Sequence, residues 1–558
     1  MRLDLESALV ADKDVRAVEG RQGVFAVSPS SNAMDLMLIS SPSNARSMYM
    51  PYYYLYLAGY MEKCGISVTI VDPHLSTVKQ NVEYILEQVK LQNPKFIGLA
   101  CFVTDYDFIS DLASKIKDIS NAPILVGNAQ PSISPEDFLY EGSPFDIVAK
   151  GEAEETVREI INSSGDIDSL MKVKGISFFD GKSVMTTEKR PLMDLADLGK
   201  PAYHLMDMDW YTQPGKYTIR RLAARCVVIY TGRGCPFDCN FCASNVVWNT
   251  NDKSLGNNVT RMRPLDVVMD ELEILQNKYG FDFFYIGDDT FGLVDRVIVD
   301  FCNEYKRRGL KMLWAAETRA PCIKNPETVK LLKEAGCIQL DFGVESGSPK
   351  ILELVQKKIK VEHIHTAFDL CHQYGIRTFA NMLLNMPQEN EEDLRMSHEL
   401  LERIRPSYTS IGLTQPYPGT PLYDEMPMEI DKSEYHLLNR ITPADKFRFA
   451  EHDHDLSQML FEWQVKYKQF PFFDRSMYAA DWIYWKHLLK SRYRRHYLWF
   501  FIKDISWTFL HSIYIRSPLR PFRNKHKSEN MIGLGFDLWE AFRDILAVKI
   551  RKKFTKEI

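Results

Sequence analysis

Twice along the chain, short apolar runs of strand length alternate with amphipathic segments of helix length that stop at glycine. This alternation limits the possible folds sharply, because a strand followed by a returning helix lays the next strand parallel to the first. The first series spans residues 34–165. Its strands are Asp35–Ser40, Ile66–Val71, Phe96–Phe102 and Pro123–Val126, and its helices are Tyr52–Cys64, Val78–Leu91 and Phe108–Ile119. The pattern predicts an α/β domain with a doubly wound, Rossmann-like parallel sheet, which takes ligands at the carboxyl ends of its strands. The loops at 41–48, 101–107, 127–132 and 149–152 form that edge.

The second series occupies 223–424 and repeats the unit six times, with strands at Cys226–Tyr230, Phe281–Ile286, Met312–Ala316, Ile338–Val344, Arg377–Leu384 and Tyr408–Leu413. Six units predict a partial (β/α)6 TIM barrel with its chemistry at the C-terminal ends of the strands. Residues 166–222, which contain Arg190-Pro191 and Lys200-Pro201, read as a connector. Residues 1–33 read as an N-terminal extension without periodicity, and 425–558 as a helical, aromatic and basic C-terminal region.

Charge and cysteine usage narrow the function. Lys plus Arg number 69 against 74 for Asp plus Glu, so no chain-wide basic surface favours nucleic acid as a partner. The start, Met1 to Glu6, has no basic region followed by an apolar one, and no run of ~18 apolar residues occurs, so the expectation is a cytoplasmic protein that does not span a membrane. Of 10 cysteines, Cys64, Cys101, Cys226, Cys302, Cys322, Cys337 and Cys371 stand singly, as buried thiols do.

The remaining three lie together in Gly234-Cys235-Pro236-Phe237-Asp238-Cys239-Asn240-Phe241-Cys242, directly after the first barrel strand. Close-set thiolates bind soft metals, either zinc or an iron-sulfur cluster. Zinc needs a fourth protein ligand, and no neighbouring Cys or His pair supplies one. A 4Fe-4S cluster on three cysteines leaves one iron open to a substrate or cofactor. An iron-sulfur electron carrier would need neither a barrel nor a second ligand-binding sheet.

The C-x3-C-x2-C loop at the mouth of a partial barrel, with Phe241 before the last cysteine, resembles the radical S-adenosylmethionine superfamily. The resemblance implies a 4Fe-4S cluster on Cys235, Cys239 and Cys242 whose open iron chelates S-adenosylmethionine for reductive cleavage to a 5′-deoxyadenosyl radical. It implies S-adenosylmethionine contacts from Phe241, from Gly287, Asp288 and Asp289 toward the ammonium, from Arg319, Glu345 and Ser346 toward the carboxylate and ribose, and from Met382 against adenine. Asn385-Met386-Pro387-Gln388-Glu389 replaces the family's Gly-x-Pro-Gly-Glu, and Gln415 to Pro421 resembles the Pro-x-Pro-Gly-Thr turn of the cobalamin-associated branch.

The preceding sheet resembles that branch's cobalamin-binding domain through Tyr56-Leu57-Ala58-Gly59-Tyr60, Val71-Asp72-Pro73, Val126 to Ser132 and Asp146 to Glu152. Contacts to cobalamin are implied for Ser43, Asn44, Cys101, Thr104, Gly127, Asn128, Gly151 and Glu152. The Asp-x-His-x-x-Gly loop that gives cobalt a histidine is absent after the first strand, and His74, after the second, reads as a surface residue. The resemblance implies a methyltransferase acting at an unactivated carbon of a small-molecule or lipid substrate, reduced by a flavodoxin or ferredoxin. Its alternative is a non-methylating cyclase or oxidative ring-former such as the anaerobic magnesium-protoporphyrin ester cyclase.

Residues 486–527 carry 11 Lys or Arg against the single acid Asp504, around Tyr497-Leu498-Trp499-Phe500-Phe501-Ile502. This fits a helix lying in the inner-membrane interface, and equally a helix packed on the barrel with a solvated basic face. The cysteine reading is tested directly: Cys239→Ala folds but loses both the visible cluster absorbance after anaerobic reconstitution and the cleavage of S-adenosylmethionine.

Overall fold

The computed structural model describes residues 34–41, 50–75, 77–212, 225–248, 260–426, 429–439, 445–467, 490 and 494–495. The chain divides into units 1–468 and 469–558, and both large sheets lie in the first. Residues 1–33, Ser43 and Asn44 lie outside the described residues, as does 486–527 apart from Lys490, Arg494 and Arg495.

β1 (Leu36–Ile39), β2 (Val68–Val71), β3 (Phe96–Ala100) and β4 (Ile124–Gly127) are the four expected parallel strands, and β5 (Ile147–Ala149), which was not expected, adds a fifth, in the order β2-β1-β3-β4-β5. The order reverses at β1 and β3, which opens the ligand crevice there. The segment expected to be a connector continues this sheet: β6 (Ile176–Phe179) and β7 (Val184–Thr186) add to β5 as an antiparallel hairpin. Its turn is Asp180-Gly181, with Gly181 at φ 95°, a short-range hairpin signal between two apolar runs.

The second sheet begins with β8 (Cys226–Ile229), followed by a two-residue ribbon, β9 (Gly232–Arg233) paired antiparallel with β10 (Arg261–Met262). β11 (Phe283–Ile286), β12 (Leu313–Thr318), β13 (Cys337–Glu345), β14 (Arg377–Leu384) and β15 (Tyr408–Leu413) complete six parallel barrel strands in the order β8-β11-β12-β13-β14-β15. Trp314 stacks on Phe284 and meets Phe301 edge to face, so the layer between strands and helices is closed by aromatic packing. Among the described residues no helix is long and apolar enough to cross a membrane.

A six-stranded barrel is open, so β8 and β15 are edges with backbone groups to satisfy. Helix Tyr52–Lys63 of the first domain closes β8. The Val228 N–H donates to the Tyr52 hydroxyl at 3.0 Å and the Tyr230 N–H to the Tyr56 hydroxyl at 3.3 Å. The match is geometric: four helical residues rise about 6 Å, and two strand residues span about 6.6 Å. The opposite face of the same helix serves the first sheet, where Tyr54 donates to the Ile39 carbonyl at 2.8 Å. Residues Tyr54 to Met61 are all buried, and a Cβ on Gly59 would stand 1.9 Å from the Lys200 carbonyl oxygen. At the other edge, Gln464 of helix Leu456–Tyr467 donates to the Ile411 carbonyl at 3.0 Å.

Replacing Tyr56 by Phe leaves the Tyr230 N–H without its acceptor and is expected to destabilise the chain by ~1–3 kcal/mol. Urea unfolding of Tyr56→Phe, compared with Tyr84→Phe at an exposed tyrosine, measures it, and the control stays at the parent's value.

Candidate functional site

The ribbon β9/β10 delivers the chain into the cysteine loop, and two acids at the end of β11 hold the loop's entry. Asp288 accepts the Thr231 N–H at 2.7 Å and the Thr231 hydroxyl, while Asp289 accepts the Gly234 N–H at 3.2 Å. Gly287 precedes them because a Cβ there would stand 2.8 Å from Val228 Cγ1 and 3.4 Å from the Tyr230 ring. Asp288, expected to face the cofactor's ammonium, is instead committed to Thr231 at the entry of the loop. Half-buried Asp289 is the acid of the pair nearer Cys235.

The loop itself folds against the segments that follow β11, β12 and β13. Cys235 Sγ lies 3.8 Å from Thr290 Oγ1, Cys239 Sγ 3.9 Å from Arg319 Nη1, and the Cys242 N–H donates to the Cys239 carbonyl at 3.1 Å. Arg319 stacks over the Phe237 ring at 3.7 Å and donates to the Lys357 carbonyl, so one guanidinium spans the loop and the segment after β13. All three thiols are free of disulfides, and burial pushes those of Cys235 and Cys242 up, so metal binding there must expel protons. Among the described residues no three His, Cys, Asp or Glu side chains converge on a point for a single ion. Three thiols spaced along one loop suit a cubane that takes one thiolate per iron.

Other expected S-adenosylmethionine contacts divide. Glu345, at φ 66° at the end of β13, pairs with Lys357 at 2.8 Å in a site where both side chains are 8% exposed. Phe241 packs with Ile351, Val355, Leu383 and Met386. Met382 is instead buried in the layer that packs against the helices, and the next residue, Leu383, takes the place beside Phe241. Strand side chains alternate, so a reading one residue out puts the residue on the wrong face. Ser346 is also turned away: its hydroxyl lies 3.2 Å from Ser397 Oγ and accepts the Ser348 N–H at 3.1 Å, fully buried.

Sequence reasoning missed a polar row inside the barrel. Tyr285 Oη lies 3.1 Å from Glu317 and 3.0 Å from Asp341, and the Gln339 amide donates to Asp341 at 2.7 Å. The signal was present as polar residues two apart in β13, Gln339 and Asp341, with Glu317 directly after the apolar run Leu313 to Ala316 of β12. β12 pairs Glu317 with Asp341, which places them at one level of the barrel.

At the crevice of the first sheet, exposed Phe102 and Tyr53 meet edge to face at 6.4 Å beside exposed Thr104, an apolar and open surface of the kind a large planar ring requires. The Ser41 hydroxyl, two residues past β1, is buried with no hydrogen-bond partner among the described residues, a further group that a ligand would satisfy. Gly127 leads into Asn128, whose side chain accepts the Ala129 N–H at 2.7 Å, and the Gly151 N–H donates to Ser132 Oγ at 3.0 Å. These residues fit cobalamin, with three corrections. Cys101 is fully buried in the core, where burial pushes its thiol up. Glu152 points away, into an ion cluster with Arg233 and Arg261 at 3.2 and 2.7 Å. His74 is no surface residue: it stacks on Trp210 at 4.4 Å and pairs with Asp72 at 3.0 Å, because Trp210 and Tyr211 from the connector fold over it.

Burial also pushes the Asp288 carboxyl from its ordinary 3.8 up to about 6, against the hydrogen bonds from Thr231. A folded value above the unfolded one means the native chain holds a proton that the unfolded chain has released, so this group's contribution falls as pH rises from about 4 to about 6. Asp288→Asn removes that slope. Its unfolding free energy relative to the parent is expected to rise by ~3 kcal/mol between pH 4 and pH 7 in urea titrations of the apoprotein.

Comparison with known proteins agrees with this geometry. Residues 229–401 match the Radical SAM superfamily and residues 44–161 match the B12 binding domain. An uncharacterized methyltransferase of Pyrococcus horikoshii is 28% identical over 344 residues, covering 61% of this chain and 71% of its own length. The anaerobic magnesium-protoporphyrin IX monomethyl ester cyclase of Cereibacter sphaeroides is 25% identical over 406 residues, covering 71% of this chain and 63% of its own. The fold is similar to that of the radical S-adenosylmethionine methyltransferase TsrM from Kitasatospora setae, with a TM-score of 0.55 at 18% identity over 70% of this chain and 76% of that one. With its cysteine loop on a radical SAM domain and a B12 binding domain ahead of it, the chain carries both domains in the order found in cobalamin-associated radical S-adenosylmethionine proteins.

Proposed function

We propose that this protein is a cobalamin-dependent methyltransferase acting at an unactivated carbon of a small-molecule or lipid substrate. The observation that carries the reading is the direct ion pairing of the cysteine-loop ribbon with the ligand edge of the first domain, Arg233 to Glu152 and Glu154, which brings the two cofactor regions of one chain together. When bound, the cluster with S-adenosylmethionine supplies hydrogen-atom abstraction, and cobalamin supplies the methyl group.

The residues of the chain prepare the site for that chemistry. Cys235, Cys239 and Cys242 hold the cluster, and Arg319, braced by Phe237, keeps a fixed positive charge beside Cys239. Asp289 offers its carboxylate at the loop entry, and Glu345 with Lys357 presents a neutral, hydrogen-bonding wall. Tyr285, Glu317 and Asp341 line the barrel and orient a substrate through its hydrogen-bond donors. Apolar Phe241 and Leu383 exclude water from that face.

The cyclase reading is the second one, favoured by the 71% of this chain that the Cereibacter sphaeroides enzyme matches. Incubation of the reconstituted protein with trideuteromethyl S-adenosylmethionine and cell extract separates the two. A methyltransferase yields a product carrying the deuterated methyl group, whereas ring formation leaves no deuterium in the product. A flavodoxin or ferredoxin supplies the electrons, and the basic tail touches the inner membrane face. Flotation with anionic vesicles that is weakened by salt tests that contact, and flotation unchanged after deletion of 486–558 rules it out.

A further inference from the structure

We propose that Glu152 is a positioning residue that joins the cobalamin loop to the cluster loop, so that filling either cofactor site tightens the other. The inference rests on the reading that these two sites take cobalamin and a 4Fe-4S cluster. One carboxylate and its neighbours carry it.

The ribbon ahead of Cys235 sets two arginines side by side, since Arg233 on β9 is in register with Arg261 on β10. Like charges directly opposite on paired strands repel. Glu152 lies between them. Its Oε1 pairs with Arg233 Nη1 at 3.2 Å and Arg261 Nη2 at 2.7 Å, and its Oε2 accepts from Arg261 Nη1 at 2.9 Å and from the Met193 N–H at 3.2 Å. Glu154 takes the second arm of Arg233 at 2.6 Å. Glu152 is 8% exposed, Glu154 6%, and each arginine 15%, so solvent screens little of this cluster. The carboxylate of the other domain thus offsets the repulsion between the two arginines of the ribbon, beside the Met193 carbonyl that accepts from Arg261 at 2.6 Å.

The other side of Glu152 leads to the cobalamin edge. Gly151, at φ 68°, donates its N–H to Ser132 Oγ at 3.0 Å, and Ser132 donates to the Asn128 carbonyl at 2.6 Å. One contiguous set of contacts thus runs from Asn128 through Ser132, Gly151 and Glu152 to Arg233, two residues before Cys235. A cluster that fixes Cys235 fixes Arg233, and through it the loop that cobalamin must otherwise order itself. Ordering already done by one ligand is not charged to the second, and the coupling is reciprocal.

The test uses the full chain, anaerobically, with hydroxocobalamin titrated by absorbance into the apoprotein and into the cluster-reconstituted protein. Reconstitution is expected to tighten cobalamin binding roughly 5- to 150-fold. Glu152→Gln keeps both binding events but brings that ratio close to one, Glu152→Asp restores part of it, and Arg261→Gln, which breaks the same bridge from the other strand, reproduces the loss. Hydrogen exchange at residues 149–153 slows on reconstitution in the parent and not in Glu152→Gln. Equal affinities in the two states of the parent, or a ratio unchanged in both bridge variants, overturns the proposal. Failure of the parent to bind cobalamin in either state overturns the cobalamin reading and this inference with it.

Discussion

Helix Tyr52–Lys63 carries the architecture, because it satisfies two incomplete structures at once. A barrel of six strands has open edges, and a parallel sheet needs cover on both faces. The helix donates from Tyr54 into the first sheet and accepts from the exposed edge of β8 through Tyr52 and Tyr56. Tyrosine suits both roles, since its ring fills the apolar layer while its hydroxyl reaches the backbone groups that a purely apolar helix would leave unsatisfied. Arg263 and Glu271, paired at 2.7 Å, and Tyr203, donating to Glu271 at 2.6 Å, surround the Tyr56 hydroxyl and complete a buried polar network at the junction.

The site depends on that closure. β8 ends at Ile229, and everything after it, the ribbon and the cysteine loop, takes its direction from a strand that the first domain secures. Two kinds of force then hold the loop. Asp288 and Asp289 cap its backbone N–H groups from β11, and Arg319 reaches it from β12. Keeping Asp288 in so buried a place costs stability near neutral pH, which is accepted where loop geometry decides chemistry.

The strand-end placement of several candidate site residues was legible from type and spacing. The three cysteines, Arg319 and Glu345 sit at strand ends, where a parallel barrel must place its chemistry, and the structure brings them to one rim. Others misled for identifiable reasons. Met382 and Leu383 are adjacent apolar residues, and nothing local says which one faces inward. Cys101 follows β3 directly and so looked like a loop residue, yet its backbone N–H still pairs with the Gly127 carbonyl at 3.0 Å, which keeps the side chain in the core. Glu152 lay in the expected ligand loop, but its partners Arg233 and Arg261 are 81 and 109 residues away.

Local sequence was enough to specify the first four strands of one sheet, the six parallel barrel strands of the other and the cysteine loop, because periodicity, glycine stops and close spacing are signals that the backbone obeys wherever the segment lands. It also contained the Asp180-Gly181 hairpin that extends the first sheet to Thr186. Which charges meet was settled by packing alone. The pairing of Arg233 with Glu152, the stacking of His74 on Trp210 and the tyrosine caps on β8 each join residues far apart in the chain. Such contacts follow from how the elements pack, since the energy of an ion pair or a hydrogen bond depends on distance and burial that no local pattern encodes.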